Sequence, residues 1–144
     1  MLEIFEECNI GIATAVPGGL LVPVIAQAEG ADLFGIAQRL GELTAKARAG
    51  KLAPAELQGG TFTITNHGMS GSLMATPIIF QPQVAILGVG KMEKRVVVVE
   101  SGGVDAMVVK PMVYVTLTID HRALDGFTAN AFLVKLVEAL GKWK

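Results

Sequence analysis

Short apolar runs recur along this chain, and twice the pattern switches to a helical period. Residues 9–16 and 20–25 are apolar runs on either side of Pro17-Gly18-Gly19, which predicts two strands around a turn. Leu33, Ile36, Ala37, Leu40, Leu43 and Ala47 then recur as the apolar stripe of a helix. Asp32 stands where an N-cap belongs, Lys46 and Arg48 lie in the last turns, and Gly50 fits the stop. Pro54 suits the first position of a short helix, although Ala53 before it offers no capping oxygen.

Thr61-Phe62-Thr63-Ile64-Thr65 alternates with period two, the mark of a strand. Asn66 to Thr76 is rich in Gly and Ser and reads as a loop. Val84 to Val89 and Arg95 to Glu100 are further strands. The second is nearly pure valine and is expected to be buried on both faces. Ser101-Gly102-Gly103 predicts a turn, followed by strands over Val104 to Lys110 and Met112 to Ile119, with Pro111 as a bulge or edge feature between them. A last helix from Thr128 to Leu140 would turn Phe127, Ala131, Phe132, Leu136 and Leu140 inward. Two helices with roughly six strands make an α+β domain, a mixed sheet with helices packed on one face.

Composition narrows this. A length of 144 residues suits a single domain over 1–144, and 51% hydrophobic residues are ample for a core. With 12 basic and 13 acidic residues, no electrostatic case for nucleic acid exists. The one cysteine, Cys8, cannot form an internal disulfide and fits a reducing compartment. Asn9 to Ala28 and Gln58 to Gly90 contain no Asp, Glu, Lys or Arg. Pro and Gly interrupt both, so neither is expected to span a membrane. They are expected to be buried in the core or against other subunits, which predicts a homo-oligomer.

Candidate chemistry sits where the last strand meets the last helix, at Asp120-His121-Arg122-Ala123-Leu124-Asp125-Gly126. Rigid elements on both sides hold His121, and an imidazole so placed can act as a general base. A lone histidine there is also compatible with a purely structural, hydrogen-bonded role. Asp125, at the helix start, has the plain role of an N-cap.

The motif Asp-His-Arg-x-x-Asp-Gly at 120–126 resembles the terminal signature of the catalytic domain of 2-oxo acid dehydrogenase complex dihydrolipoamide acyltransferases, the E2 components. Other blocks in the same order carry the resemblance: Asn9 to Ala13, Gly19 to Ile25, Gly59 to Asn66, Thr76 to Ile79 and Pro82 to Gly88. The resemblance implies a chloramphenicol acetyltransferase-like fold, of which this chain would be the C-terminal part, with no lipoyl or subunit-binding domain. It implies trimers with each active site between neighbouring subunits, E1 and E3 components as further partners, and acyl transfer between dihydrolipoamide and coenzyme A. His121 would be the base, Thr65 the oxyanion donor from a neighbouring subunit, and Asp125 an orienter. Coenzyme A would be a substrate, lipoamide would come on another domain, and no metal would take part. The location would be the cytoplasm, or the mitochondrial matrix in a eukaryote.

Departures from the family's pattern are expected to matter. Phe80 stands where relatives usually carry Asn, and Gly141-Lys142-Trp143-Lys144 replaces an apolar tail, which is expected to weaken contacts between trimers. A shortened chain could be an impaired fragment that acts as an oligomeric scaffold. The acyl group is left open: some blocks look like succinyl-transferring members and others like branched-chain members. Two other readings are weaker. Gly68-Met69-Ser70-Gly71-Ser72 nearly forms a serine hydrolase elbow, with Ser70, Asp105 and His121 in hydrolase order, but its last Gly is missing and Thr76-Pro77 stops any helix early. His67 has no Cys or acidic partner at metal-ligand spacing and either lines the acyl channel or sits on a solvent-facing turn.

Overall fold

The first apolar runs divide further than their pattern predicts. The computed structural model, which describes residues 2–143, breaks the two expected strands into four: β1 (Ile10–Ile12), β2 (Thr14–Val16), β3 (Gly19–Leu21) and β4 (Val24–Ile25). Pro23 has no N–H for a ladder, so the second run is interrupted there. β2 and β3 form a ribbon around the expected turn, where Gly18 takes a φ of 91°. β1 instead pairs with β4, Ile10 opposite Ile25.

α1 (Leu33–Arg48) is capped as expected, since the Asp32 carboxylate accepts the Gly35 N–H at 2.7 Å. Gly50, at φ 64°, closes the other end, its N–H reaching the carbonyl of Ala47. Ile36, Leu40, Leu43 and Ala47 are covered, but Leu33 and Ala37, expected inward, are exposed. α1 rests on β2 and β4, which are three and two residues long, too short to underlie a 16-residue helix. Pro54–Leu57 forms a single 3₁₀ turn, and Glu56 supplies the missing cap by accepting the Ala53 N–H at 2.8 Å.

β5 (Phe62–Asn66) and β6 (Ala85–Val89) lie parallel to each other and to β1. Next in the chain come β7 (Glu93–Ser101), β8 (Val104–Met112) and β9 (Val115–Ile119). The main sheet has the order β4-β1-β5-β6-β9, with both edge strands antiparallel to their neighbours. Ala85, Ile86 and Leu87 of β6 join Val22, Ile25, Leu43 and Ala47 in the core. The valine-rich strand is not buried on both faces. β7 pairs only with β8, and a ribbon of two strands has no sheet to bury it. Val96 and Val98 are about two-thirds exposed, and Met107 and Val109 beside them are similarly bare. Pro111 is tolerated within β8 because each strand of such a ribbon is an edge. The run from Met112 to Ile119 breaks at Val113-Tyr114, where the chain leaves the ribbon for the sheet.

α2 (Gly126–Lys142) starts two residues earlier than the apolar pattern predicts. Ala129, Leu133 and Leu136 are its partly covered positions, and Phe132 meets Phe62 with ring centroids 5.8 Å apart. Phe127, Ala131 and Leu140, expected inward, are exposed, and no described residue of α2 is fully buried. The helix is apolar on more sides than one chain covers. The expected C-terminal departure falls partly outside the described residues: Gly141 and Lys142 extend α2, Trp143 is exposed, and Lys144 is not described. No described helix is long and apolar enough to cross a membrane.

Candidate active site

The turn after β9 is closed by its own polar groups. Asp120 gives its N–H to the Val84 carbonyl at 2.7 Å, and its carbonyl accepts the N–H groups of Ala123 and Leu124. Its carboxylate takes the Arg122 guanidinium at 2.6–3.1 Å and the Arg122 N–H at 3.0 Å. The guanidinium, and then the N–H, hold the Asp120 carboxyl down at about 2. Asp120 and Arg122 thus staple the turn, and His121 between them is exposed. Asp125 caps α2 by accepting the Thr128 N–H at 2.7 Å. That bond above all, then the Thr128 hydroxyl and the nearby His121 ring, lower its carboxyl below the ordinary range. His121 and Asp125 are therefore fixed in one turn by the end of a strand and the start of a helix.

Thr65 sits elsewhere. Along β5, Thr63 and Thr65 point to the same face by strand alternation. Thr63 is buried and donates its hydroxyl to Gln83 Oε1 at 2.6 Å, while Gln83 Nε2 donates to the Gly60 carbonyl at 3.0 Å. The Thr116 hydroxyl is likewise engaged, with the Ala75 carbonyl at 2.8 Å. No described group bonds the Thr65 hydroxyl, and Thr65 lines a cavity of about 260 Å³ with Val22, Ile86 and Phe80.

Register places the two expected partners at opposite ends of the sheet. Thr65 lies opposite Gly88 of β6, and Gly88 lies opposite Thr116 of β9. β9 then runs back past Ile119, level with Ala85 at the start of β6, before it reaches His121. Thr65 and His121 are thus two strands apart across the sheet, roughly 10 Å, and at least three strand residues apart along it, roughly 10 Å more. Within one chain they do not meet.

His67 is not on a solvent-facing turn. Both its ring nitrogens are buried without a hydrogen-bond partner among the described residues. The ring lies over Gly88, where a Cβ would stand 3.3 Å from His67 Nε2 and 2.6 Å from Thr116 Oγ1. A glycine within a strand is the sequence signal for such a close approach, and the pattern alone did not assign it. Gln83 carried no signal at all. The hydrolase arrangement does not form. β5 leads into a three-residue 3₁₀ turn instead of a helix, and Ser70 spends its hydroxyl on the His67 carbonyl at 2.7 Å. Asp105 lies near the tip of the β7–β8 ribbon. Among the described residues, no three of His, Cys, Asp or Glu gather where they could hold a metal.

A mixed sheet flanked by two helices, with its motif histidine at the last strand–helix junction, is an α+β fold of the chloramphenicol acetyltransferase-like kind. The chain belongs to the family described as 2-oxoacid dehydrogenases acyltransferase (catalytic domain), whose profile matches residues 1–144. It is 47% identical over 132 residues to the succinyltransferase component of the 2-oxoglutarate dehydrogenase complex of Bacillus subtilis, covering 92% of this chain and 31% of that one. It is 43% identical to the acetyltransferase component of the pyruvate dehydrogenase complex of Corynebacterium glutamicum, covering 94% and 20%. The dihydrolipoamide acetyltransferase of Azotobacter vinelandii superposes with a TM-score of 0.89 at 38% identity, over 96% of this chain and 55% of that one. A serine, a histidine and an asparagine four positions after the histidine have been investigated for roles in that enzyme's mechanism. A truncated catalytic core of the 2-oxoacid dehydrogenase multienzyme complex from Thermoplasma acidophilum superposes with a TM-score of 0.83 at 37% identity, over 97% and 60%. The chain therefore spans about a third or less of these curated relatives and somewhat over half of these solved ones.

Proposed function

We propose that this chain moves an acyl group between dihydrolipoamide and coenzyme A, in a site shared by two copies. The observation that carries the reading is the free Thr65 hydroxyl on an apolar cavity, at the end of the sheet away from His121. His121 of one copy removes the proton of the attacking thiol. The thiolate adds to the thioester carbonyl, and the Thr65 hydroxyl of the neighbouring copy donates to the oxyanion that forms. The carbon–sulfur bond to the departing thiol then breaks, and the imidazolium returns its proton to that sulfur. No electrons are gained or lost overall.

The four-residue spacing of His121 and Asp125 matches the histidine and asparagine studied in the Azotobacter enzyme, and Thr65 offers a hydroxyl as its serine does. Asp125 orients the turn that carries His121, from its place as the cap of α2. Coenzyme A and lipoamide enter as thiol substrates, with lipoamide carried on a separate domain. The assembly is a trimer of this chain, working with E1 and E3 components in a reducing compartment, the cytoplasm or the matrix of a mitochondrion. The exposed thiol of Cys8 suits such a compartment. The test is a thiol-release assay with acyl-coenzyme A and free dihydrolipoamide. Release of coenzyme A that depends on the chain supports the reading. An assembled protein that transfers none of several acyl groups would be a scaffold and would end it.

A further inference from the structure

The cavity beside Thr65 has a chemistry that no name among the relatives supplies. Leu20, Val22, Ile78, Phe80 and Ile86 line it together with Thr65, and no residue that lines the cavity carries a charge. The other hydroxyl on its wall, that of Thr63, is already committed to Gln83. A volume of about 260 Å³ lies just under the range of whole-ligand sites, which begins at about 300 Å³. It has room for a short acyl chain. Relatives that transfer succinyl and acetyl groups match at 47% and 43% identity, so identity does not choose the acyl group.

We propose that this cavity is the acyl-chain subsite and that it selects short uncharged acyl groups, branched ones above all, against dicarboxylic ones such as succinyl. The inference rests on the acyl-transfer reading and deepens it. Thr65 fixes the thioester carbonyl at the mouth, so the chain beyond that carbonyl extends along the apolar wall. A terminal carboxylate lying against that wall would exchange water for apolar side chains and meet no cation of this copy, which disfavours it. A branched aliphatic chain gains instead, because each methylene group that fills an apolar pocket is worth about 10- to 200-fold in specificity. Phe80 is the specificity-determining residue. It is half exposed on the loop before β6 and is the one aromatic ring among the residues that line the wall.

The experiment compares acetyl-, isobutyryl- and succinyl-coenzyme A as donors to dihydrolipoamide, on the full chain and on Phe80→Asn and Phe80→Leu. The expected kcat/KM for isobutyryl exceeds that for succinyl by about a hundredfold or more. Phe80→Leu keeps most of that ratio, and Phe80→Asn narrows it at least about tenfold. Succinyl transfer equal to or faster than isobutyryl overturns the subsite and leaves acyl transfer standing. If no donor reacts, the transfer reading falls, and calorimetric titration still judges the cavity. Tighter binding of isobutyryl- than succinyl-coenzyme A, lost in Phe80→Asn, supports it, and equal binding overturns it.

Discussion

Asp120, His121 and Asp125 lie within six consecutive positions and are held in three different ways. His121 is exposed at the crest of a turn that Asp120 and Arg122 hold shut. Because the turn is closed by these neighbours, removing the imidazole should leave the fold intact. His121→Ala is expected to lower acyl transfer at least a hundredfold, within the roughly 10²–10⁴ that a general base contributes, with an unchanged melting temperature. Steady-state rates beside a thermal melt check both halves. Asp120 gives a pH signature. Its carboxyl is held at about 2 in the folded chain, below the ordinary aspartate value near 3.9. Its contribution to stability is therefore fully present above about pH 4 and disappears as pH falls through about 2. Urea melts of the chain and of Asp120→Asn should differ at pH 6 and converge towards pH 2. A constant difference across that range would show that the carboxylate's charge is not what staples the turn.

At the scale of elements, strand lengths and partners decide what an apolar residue does. The same run of valines describes a central strand and one half of an unpartnered ribbon, and β7 proved to be the second. α1 covers only what the short strands β2 and β4 put beneath it. β6 is the opposite case. It is flanked on both sides, and at Gly88 the ring of His67 and the hydroxyl of Thr116 close over it. Gly88→Ala would place a methyl group 2.6 Å from Thr116 Oγ1 and 3.3 Å from His67 Nε2. Overpacking of this kind costs about 1–3 kcal/mol. A matching loss in chemical denaturation is expected, together with lower acyl transfer because the displaced His67 loop carries Pro77 of the cavity wall. An unchanged denaturation midpoint would mean that the loop shifts without cost.

At the scale of the whole molecule, the described chain leaves wide apolar surface uncovered. Phe127, Val134, Val137 and Leu140 on α2, Val96, Val98, Met107 and Val109 on the ribbon, and Met69, Met74 and Ile78 on the loop all lie open. This accounts for the uncharged run from Gln58 to Gly90: within one chain, part of it has nothing to bury it. The proposal that the site is divided between copies has a direct test by complementation. His121→Ala and Thr65→Ala, each inactive alone, should regain about a quarter of the activity when co-assembled in equal amounts, because a cyclic oligomer pairs one copy's imidazole with its neighbour's hydroxyl. Sedimentation of the same mixture gives the mass of the assembly. No recovery in mixed oligomers would place both groups of each site in one chain.

Much of this protein was legible before any coordinates. Asp32, Gly50 and Asp125 mark helix ends through local chemistry, since a cap bonds a residue three places away, and all three stand where the sequence put them. The motif around His121 and the block around Thr65 are contiguous, so they too could be read along the chain. The sequence could not say which strands are neighbours, because pairing joins residues tens of positions apart and depends on what else competes for each edge. Only the tertiary structure set Thr65 and His121 at opposite ends of one sheet, put Gln83 under Thr63, and laid His67 over Gly88. Those relations are distances between elements, and periodicity carries no information about distance across a fold.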